Sequence, residues 1–174
     1  MKKIKGVRNL LSVLLIMIVS LGSITVVKAE TENDLYENQE NVTLIQKEYI
    51  DLDEDTIVEI ETYEEELPAV ARSAWKTKNG TRTYRIINKQ TNTVFVRYIL
   101  KGTFRYNGKT AECTNATYEC KVFVPNVYKV ITKRAEKGGS IAWGYFYCTH
   151  IKNGNSMGGT FSISCSATGT LTIN

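Results

Sequence analysis

Apolar and polar side chains alternate with a period of two between residues 94 and 106. The apolar side chains occupy even positions: Val94, Val96, Tyr98, Leu100, Phe104 and Tyr106. Arg97, Lys101 and Arg105 fall between them. Such alternation predicts a long, half-buried β-strand, and Gly102 marks a point where this strand can bend.

The dipeptide Asn107-Gly108 follows this strand directly. Both central residues of a two-residue type I′ turn need positive φ, which asparagine and glycine tolerate, so the pair predicts a tight hairpin. Such a turn would place Tyr106 opposite Lys109. Cys113 would then lie on the apolar face of the returning strand.

A second hairpin is predicted at the end of the chain. Residues 161–168 alternate apolar side chains with serine and threonine, and residues 141–151 carry aromatic side chains at alternate positions. A connection rich in Gly, Asn and Ser joins them. The aromatic row of Trp143, Tyr145 and Tyr147 is interpreted as part of the core. The alternative is a flat exposed row, suited to stacking on sugars or to a membrane interface.

Shorter strand patterns occur at residues 82–87, 119–124 and 127–134, and residues 69–174 show no helical period. The sequence therefore predicts an all-β fold, a small antiparallel β-sandwich or barrel of about seven strands, held by disulfides. An acidic, largely irregular segment is expected before that domain.

Three regions follow one another along the chain. Residues 1–29 have four basic residues near the start, then an uncharged apolar run and Ala29 at a small-residue cleavage position, which is the order of a secretory signal peptide. Residues 30–68 are interpreted as an acidic pro-region or linker and residues 69–174 as a basic all-β domain, with Pro68 at the boundary. We therefore expect export, no transmembrane segment in the mature form, and an extracellular or cell-wall-associated location.

The formal net charge of +4 conceals a strong asymmetry. Residues 30–66 contain fifteen acidic residues and one basic residue, Lys47, whereas residues 67–174 contain sixteen basic and three acidic residues. An imbalance of this size concerns partners more than fold. It predicts that the basic domain meets polyanions and that the acidic segment masks it electrostatically.

Basic residues that recur on or near predicted strands are the first candidate binding surface, and the aromatic row is the second. The residues are Arg82, Arg85, Arg97, Lys101, Arg105 and Lys109, together with Trp143, Tyr145 and Tyr147. A solvated sheet surface explains an isolated lysine, but a domain this basic repels itself unless a polyanion is its partner. The expected partner is an anionic cell-surface polymer such as teichoic acid, or an anionic lipid, and no specific nucleic acid is expected.

All four cysteines, Cys113, Cys120, Cys148 and Cys165, lie in the region expected to be exported. An even number in an oxidising compartment predicts two disulfides, and the absence of a Cys-x-x-Cys pair argues against zinc. Strand phase favours Cys113–Cys165 with Cys120–Cys148, because Cys113 and Cys165 fall on apolar faces. Local pairing of Cys113 with Cys120 and of Cys148 with Cys165 stays open, since sequence alone does not fix connectivity.

Few side chains in the basic domain are suited to catalysis. The domain has no aspartate, three glutamates and one histidine, His150. Paired carboxylates for glycoside hydrolysis would have to come from Glu112 and Glu119, and a nucleophile triad would need His150 beside one of the glutamates. We therefore expect a non-enzymatic protein with no catalytic residues, no metal and no cofactor.

Residues 102–114 read GTFRYNGKTAECT, and Ser164-Cys165 belongs to a closing strand. This pattern resembles one in small secreted proteins of Gram-positive bacteria that have no assigned activity. The resemblance covers residues 75–170 and implies secretion, a β-sandwich and a Cys113–Cys165 pair. It brings no catalytic residues, and Cys120 and Cys148 depart from its two-cysteine form.

The leading functional hypothesis is a secreted binding protein for an anionic surface polymer or membrane. One alternative is a bacteriocin-like or toxin-like antagonist that the acidic segment holds inactive until cleavage near Arg72. The other is a carbohydrate-recognising adhesion module that uses the aromatic row.

Overall fold

The computed structural model describes residues 41–69 and 73–173, and all regular structure in these residues is β-strand. The strands are β1 (Val42–Asp51), β2 (Thr56–Glu66), β3 (Lys76–Asn88), β4 (Val94–Tyr106), β5 (Ala111–Val122), β6 (Tyr128–Gly138), β7 (Ile141–His150), β8 (Ser156–Cys165) and β9 (Leu171–Ile173). The signal peptide expected at residues 1–29 and the cleavage expected near Arg72 lie outside the described residues.

The strands form two antiparallel sheets whose inner faces share one core. The five-stranded sheet has the order β1-β2-β3-β4-β5, and the four-stranded sheet has the order β6-β7-β8-β9. The prediction of an all-β antiparallel fold is confirmed, and the fold is a sandwich rather than a barrel. The prediction of about seven strands for residues 69–174 is confirmed by β3 to β9, and the other two described strands, β1 and β2, precede that region.

The two additional strands come from the acidic segment. The expectation that this segment is largely irregular is wrong for residues 42–66, which contain β1 and β2. Strand β2 pairs with β3 along its whole length. Val58 and Ile60 of β2 are buried in the core, whereas Glu59 and Glu61 point to the opposite face and meet basic side chains. Overall composition averages the two faces of a strand and so conceals this alternation.

The core is built by large side chains of one sheet against small ones of the other. β4 provides the predicted apolar face, on which Tyr98, Leu100 and Phe104 are fully buried. The Tyr98 ring stacks on Phe146 of β7 with centroids 5.3 Å apart. Gly144 of β7 is required opposite Tyr98, because a Cβ there would lie 2.6 Å from the tyrosine hydroxyl oxygen. This complementarity fills the interior densely.

The phase of β7 differs from the prediction. The interpretation of Trp143, Tyr145 and Tyr147 as core is wrong, because β7 buries the alternate residues Ala142, Gly144, Phe146 and Cys148. Tyr98 of β4 lies against Gly144, and Gly102 of β4 lies against Ala142, so β7 presents its small residues to β4. The aromatic row therefore lies on the outer face of the four-stranded sheet, and Cys148 faces inward.

The hairpin after β4 is longer than predicted. Tyr106 pairs with Ala111 rather than with Lys109. The Asn107 side-chain oxygen closes the resulting four-residue loop by accepting hydrogen bonds from two backbone amides of the loop at 3.0 and 2.9 Å. Because the shift is two residues, each side chain keeps its face, and Cys113 still points to the core.

Candidate binding surfaces

The outer face of the five-stranded sheet carries Lys47, Glu59, Glu61 and Arg85, which we call the charge cluster. Arg85 Nη2 lies 2.6 Å from a Glu59 carboxylate oxygen and also contacts Glu61. Lys47 Nζ lies 2.8 Å from Glu59 and 2.7 Å from Glu61. The Tyr63 hydroxyl donates a hydrogen bond to Glu61 at 2.8 Å. Two positive and two negative charges thus neutralise each other across three strands.

The pairing in the charge cluster overcomes the effect of burial on ionisation. Burial alone would raise the pKa of Glu59, but the hydrogen bond from Lys47 and the charge of Arg85 hold this pKa below its usual range. Burial would lower the pKa of Lys47, and its hydrogen bonds to the two carboxylates raise it instead. For Tyr63, burial and the hydrogen bond to Glu61 raise the pKa to about 12. Lys47 and Glu59 therefore stay charged at neutral pH.

Three further basic side chains, on β3 and in the loop after it, also meet acidic side chains of β1 and β2. The pairs are Lys78 with Glu64 and Glu66, Arg82 with Glu48, and Lys89 with Asp51, at N–O distances of 2.7 to 3.7 Å. Two of the predicted binding residues, Arg82 and Arg85, are therefore buried and paired within the protein. The acidic strands contact β3, as the sequence predicted, but as members of the same sheet.

Arg97 lies on the outer face of the same sheet, directly opposite Arg85 on one side and Lys121 on the other. Like charges directly opposite one another repel. The Phe123 ring offsets part of this repulsion, because the Arg97 guanidinium carbon and the Lys121 Nζ lie 5.6 and 4.4 Å from its centroid. A row of three cations thus crosses the sheet, with Glu59 and Glu61 at its β2 end.

The remaining predicted basic residues lie at the surface. Lys101 Nζ pairs with Glu119 at 2.6 Å, and Arg105 Nε pairs with Glu112 at 2.7 Å. Lys109 is exposed in the loop between β4 and β5. Glu112 and Glu119, the two carboxylates considered for glycoside hydrolysis, are therefore each held by a cation.

The described residues divide by charge into two sides. Residues 41–69 and 73–93, the acidic side, contain six basic and ten acidic side chains, a net charge of −4. Residues 94–173, the basic side, contain ten basic and three acidic side chains, a net charge of +7. Lys152 and five further cations were not among the predicted binding residues, although their density in the sequence was a usable signal. The five are Lys121, Lys129, Lys133, Arg134 and Lys137, all on β5 and β6.

The outer face of the four-stranded sheet, which we call the aromatic face, presents the aromatic row of β7. Tyr147 is 42% exposed, and Trp143 and Tyr145 are half-buried. The residues of β8 opposite this row are small: Ser162, Thr160 and Gly158. From β6, the Arg134 guanidinium carbon lies 4.1 Å from the Tyr145 ring centroid.

Two glycines shape the aromatic face. A Cβ at Gly138 of β6 would lie 2.9 Å from Trp143 Cζ3, so the indole lies over the backbone of β6. Gly158, opposite Tyr147, has a φ of +135°, which disfavours any other residue. On the β8 side the rings are therefore bordered by backbone and hydroxyl groups, and on the β6 side by longer side chains such as Arg134.

Cys113 and Cys165 come from different sheets, and both are buried. Their backbone amides donate hydrogen bonds to consecutive carbonyls, those of Gly139 at 2.8 Å and Ser140 at 2.9 Å, which places the two cysteines side by side. Burial raises the pKa of both thiols, and the neighbouring Cys113 adds to the rise at Cys165.

Cys120 and Cys148 form a second pair of neighbours across the sheets. A bulge in the β4–β5 pairing between Thr103 and Phe104 changes the alternation of β5, so that Cys120 packs against the core in which Cys148 is fully buried. Burial and the nearby Cys120 raise the pKa of Cys148 to about 12. All four cysteines are thiols in the structure. The two disulfides therefore stay a prediction.

A cleft of about 480 Å³ opens at one end of the sandwich and is lined in part by Asp53, Asp55, Tyr128 and His150. The His150 ring packs edge-on against Tyr128 at 5.1 Å, and its Nδ1 accepts a hydrogen bond from the Lys152 amide at 3.2 Å. Among the described residues, no three His, Cys, Asp or Glu side chains are grouped so as to hold a metal ion. His150 thus makes packing and turn contacts at the end of β7.

Within residues 41–69 and 73–173, no helix has the length and apolar character needed to cross a bilayer. No protein family, curated protein or solved structure matches the chain.

Proposed function

We propose that this protein is a secreted, non-enzymatic binding protein that associates with an anionic polymer at a cell surface through its basic side. The separation of charge carries this proposal. The cations of β3 that meet β1 and β2 are neutralised there, while ten basic side chains accompany only three acidic ones in residues 94–173. A surface with such an excess attracts and concentrates polyanions.

Many weak contacts suit a repeating polymer better than a small ligand. Lys121, Lys129 and Lys133 are exposed on β5 and β6. One exposed ion pair contributes only about 0–1 kcal/mol. Several pairs along one polymer chain add up, because each contact holds the next at a high effective concentration. We therefore expect binding that weakens steeply as salt screens the charges.

An anionic bilayer is the second candidate partner. Ile131 favours it, because this side chain is 61% exposed on β6, among the cations of that strand. A cationic strand with an exposed aliphatic residue can rest on a membrane surface. Vesicles therefore belong in the binding experiment beside the polymers.

The acidic strands act in this proposal as a built-in screen for the cations of β3. They are not a detachable tail, since β2 pairs with β3 throughout and contributes Val58 and Ile60 to the core. An antagonist activated near Arg72 would have to lose these strands from the sheet, which would uncover the β3 edge. The polymer-binding function needs no such step.

The test is to replace the four lysines of β5 and β6 by glutamine: Lys121, Lys129, Lys133 and Lys137. We expect the affinity for inorganic polyphosphate at low salt to fall at least about tenfold, and the salt dependence to become shallower. The control is Lys76→Gln, an exposed lysine on the acidic side, which should bind as the unmodified chain does. Equal affinity of the fourfold variant and the unmodified chain would contradict the proposal.

A further inference from the structure

We propose that the anionic polymer is a glycan, and that its sugar rings lie on the aromatic face. This inference rests on the proposed function and assigns it a ligand class and a contact surface. The observation behind it is a row of three aromatic rings on the outer face of β7, next to the cations of β6.

The row has the geometry of a stacking platform. Trp143, Tyr145 and Tyr147 occupy alternate positions of one strand, so their Cα atoms follow one another at about 6.8 Å and the row extends over about 14 Å. The face of an aromatic ring is electron-rich. The C–H bonds on one face of a pyranose carry partial positive charge and pack on such a ring. Rings in line therefore match a chain of sugars better than a single one, with Trp143 and Tyr147 on either side of Tyr145, whose ring carries the Arg134 guanidinium.

The surroundings of the row are flat and rich in hydroxyl groups. Thr160 lies directly opposite Tyr145, and Gly158 directly opposite Tyr147. Across the next pairing, Thr149 and Ser156 share a hydrogen bond at 3.0 Å between their hydroxyl oxygens. Hydroxyl groups donate and accept hydrogen bonds, as sugar hydroxyls do. No long side chain of β8 rises beside the row, so an extended chain can lie across it.

The charge on the aromatic face is complementary to an acidic sugar. Lys129 and Arg134 of β6 share this face, because they pair with Thr149 and Tyr145 of β7. Arg134 Nε lies 3.3 Å from Glu136, which pairs with Trp143 on the same face, and the Arg134 side chain remains 57% exposed over the Tyr145 ring. Carboxylates or phosphates on a glycan would meet these cations while its rings stack on the aromatic row.

The aromatic face differs from a bilayer-binding surface in its chemistry. A membrane-bound face buries aliphatic side chains among the acyl chains, whereas threonine, serine and glycine flank this row. Vesicles are therefore one arm of the test. If the chain binds vesicles but neither of the glycans, the inference is overturned.

The experiment measures binding of the intact chain to four probes. The probes are polygalacturonate, which has acidic sugar rings, inorganic polyphosphate, which has charge without rings, a soluble neutral β-glucan, and phosphatidylglycerol vesicles. The variants are a double variant that combines Tyr145→Ala and Tyr147→Ala, and two single variants, Tyr147→Phe and Arg134→Gln. The control is Tyr49→Ala, which removes a ring that is 58% exposed on β1, the edge strand of the other sheet.

We expect the double alanine variant to lose about tenfold in affinity for polygalacturonate and nothing for polyphosphate. Tyr147→Phe should retain polygalacturonate binding, because stacking uses the ring rather than the hydroxyl. Arg134→Gln should weaken binding to polygalacturonate more than to the neutral glucan. If the double variant loses its near-ultraviolet circular dichroism, Tyr147→Ala alone decides the question at the most exposed ring.

The opposite results separate this inference from the proposed function. If the aromatic substitutions leave the affinity for both anionic polymers unchanged, the glycan inference is overturned and the proposed function stands. An intact chain that binds neither anionic polymer nor vesicles would overturn both.

Discussion

The acidic and basic sides of this molecule use charged residues for different purposes. On the acidic side, Glu59, Glu61 and Arg85 are nearly buried and satisfy one another, so their charges belong to the fold. On the basic side, pairs such as Lys101 with Glu119 are exposed. Two stretches that look equally charged in sequence therefore differ in role. What decides the role is the surroundings of the charge and not its sign.

The largest expected effect comes from removing one member of the charge cluster. Arg85→Ala removes the more buried of the two cations that contact Glu59 and Glu61, which should lower the free energy of unfolding by about 3–5 kcal/mol. The matched change on the basic side is Arg134→Ala, which should cost about 1 kcal/mol or less, because its pair is exposed. Urea denaturation measures both. Equal losses for the two variants would show that the sides do not differ in this way.

Oxidation of the cysteines should stabilise the basic side, where both cysteine pairs lie. Each bridge typically adds about 2–4 kcal/mol to the free energy of unfolding, so the oxidised protein should resist urea more than the reduced one. Mass spectrometry of unreduced peptides should join Cys113 to Cys165 and Cys120 to Cys148, the neighbours in the structure. A peptide joining Cys113 to Cys120 would refute this pairing, and stoichiometric thiol labelling of the unreduced, denatured protein would refute the bridges.

Acid should weaken the acidic side first. The pKa of Glu59 in the folded chain lies below its ordinary value of 4.5, so the ionised carboxylate contributes stability that is present above this value and is lost as the pH falls through the lower folded value. We expect the free energy of unfolding to decline below about pH 4.5, and to decline less in Glu59→Gln.

The control for the acid prediction is Glu119→Gln. A hydrogen bond from Lys101 lowers the pKa of Glu119 as well, but this pair is exposed and screened by water and salt. Its replacement should alter the pH dependence less than Glu59→Gln does. Urea denaturation between neutral pH and about pH 3 gives both slopes, and parallel curves for Glu59→Gln and the unmodified chain would contradict the prediction.

Sequence reasoning succeeded where one strand face is plainly apolar. The alternation of β4 and of Phe161, Ile163 and Cys165 predicted which side chains are buried. It failed for β7, where both phases offer apolar residues and the choice depends on Tyr98 from the other sheet, which needs Gly144 opposite it. Such a contact joins residues far apart in the chain, so no local period reveals it.

For the candidate surfaces, too, the sequence predicts which residues share a strand face but not which way that face points or which partners it meets. The aromatic row was identified as three residues sharing one face, and only its orientation was wrong. Arg85 was selected by its position on a strand, but its carboxylate partners come from β2, more than twenty residues earlier. The composition of the acidic segment indicates an irregular chain, because composition carries no information on the order in which Glu59 alternates with the buried Val58 and Ile60.

The pairing of β2 with β3 has a consequence for assembly. A backbone cut near Arg72 would leave the two parts of the chain joined, because the hydrogen bonds from Thr56 to Glu66 do not depend on the connection. In an uncut chain the same pairing makes the β1–β2 hairpin an exchangeable element, because the edge of β3 accepts the same hairpin from another molecule in the same register. Intertwined dimers formed in this way need no interface beyond the one already in the monomer, and their yield rises with protein concentration.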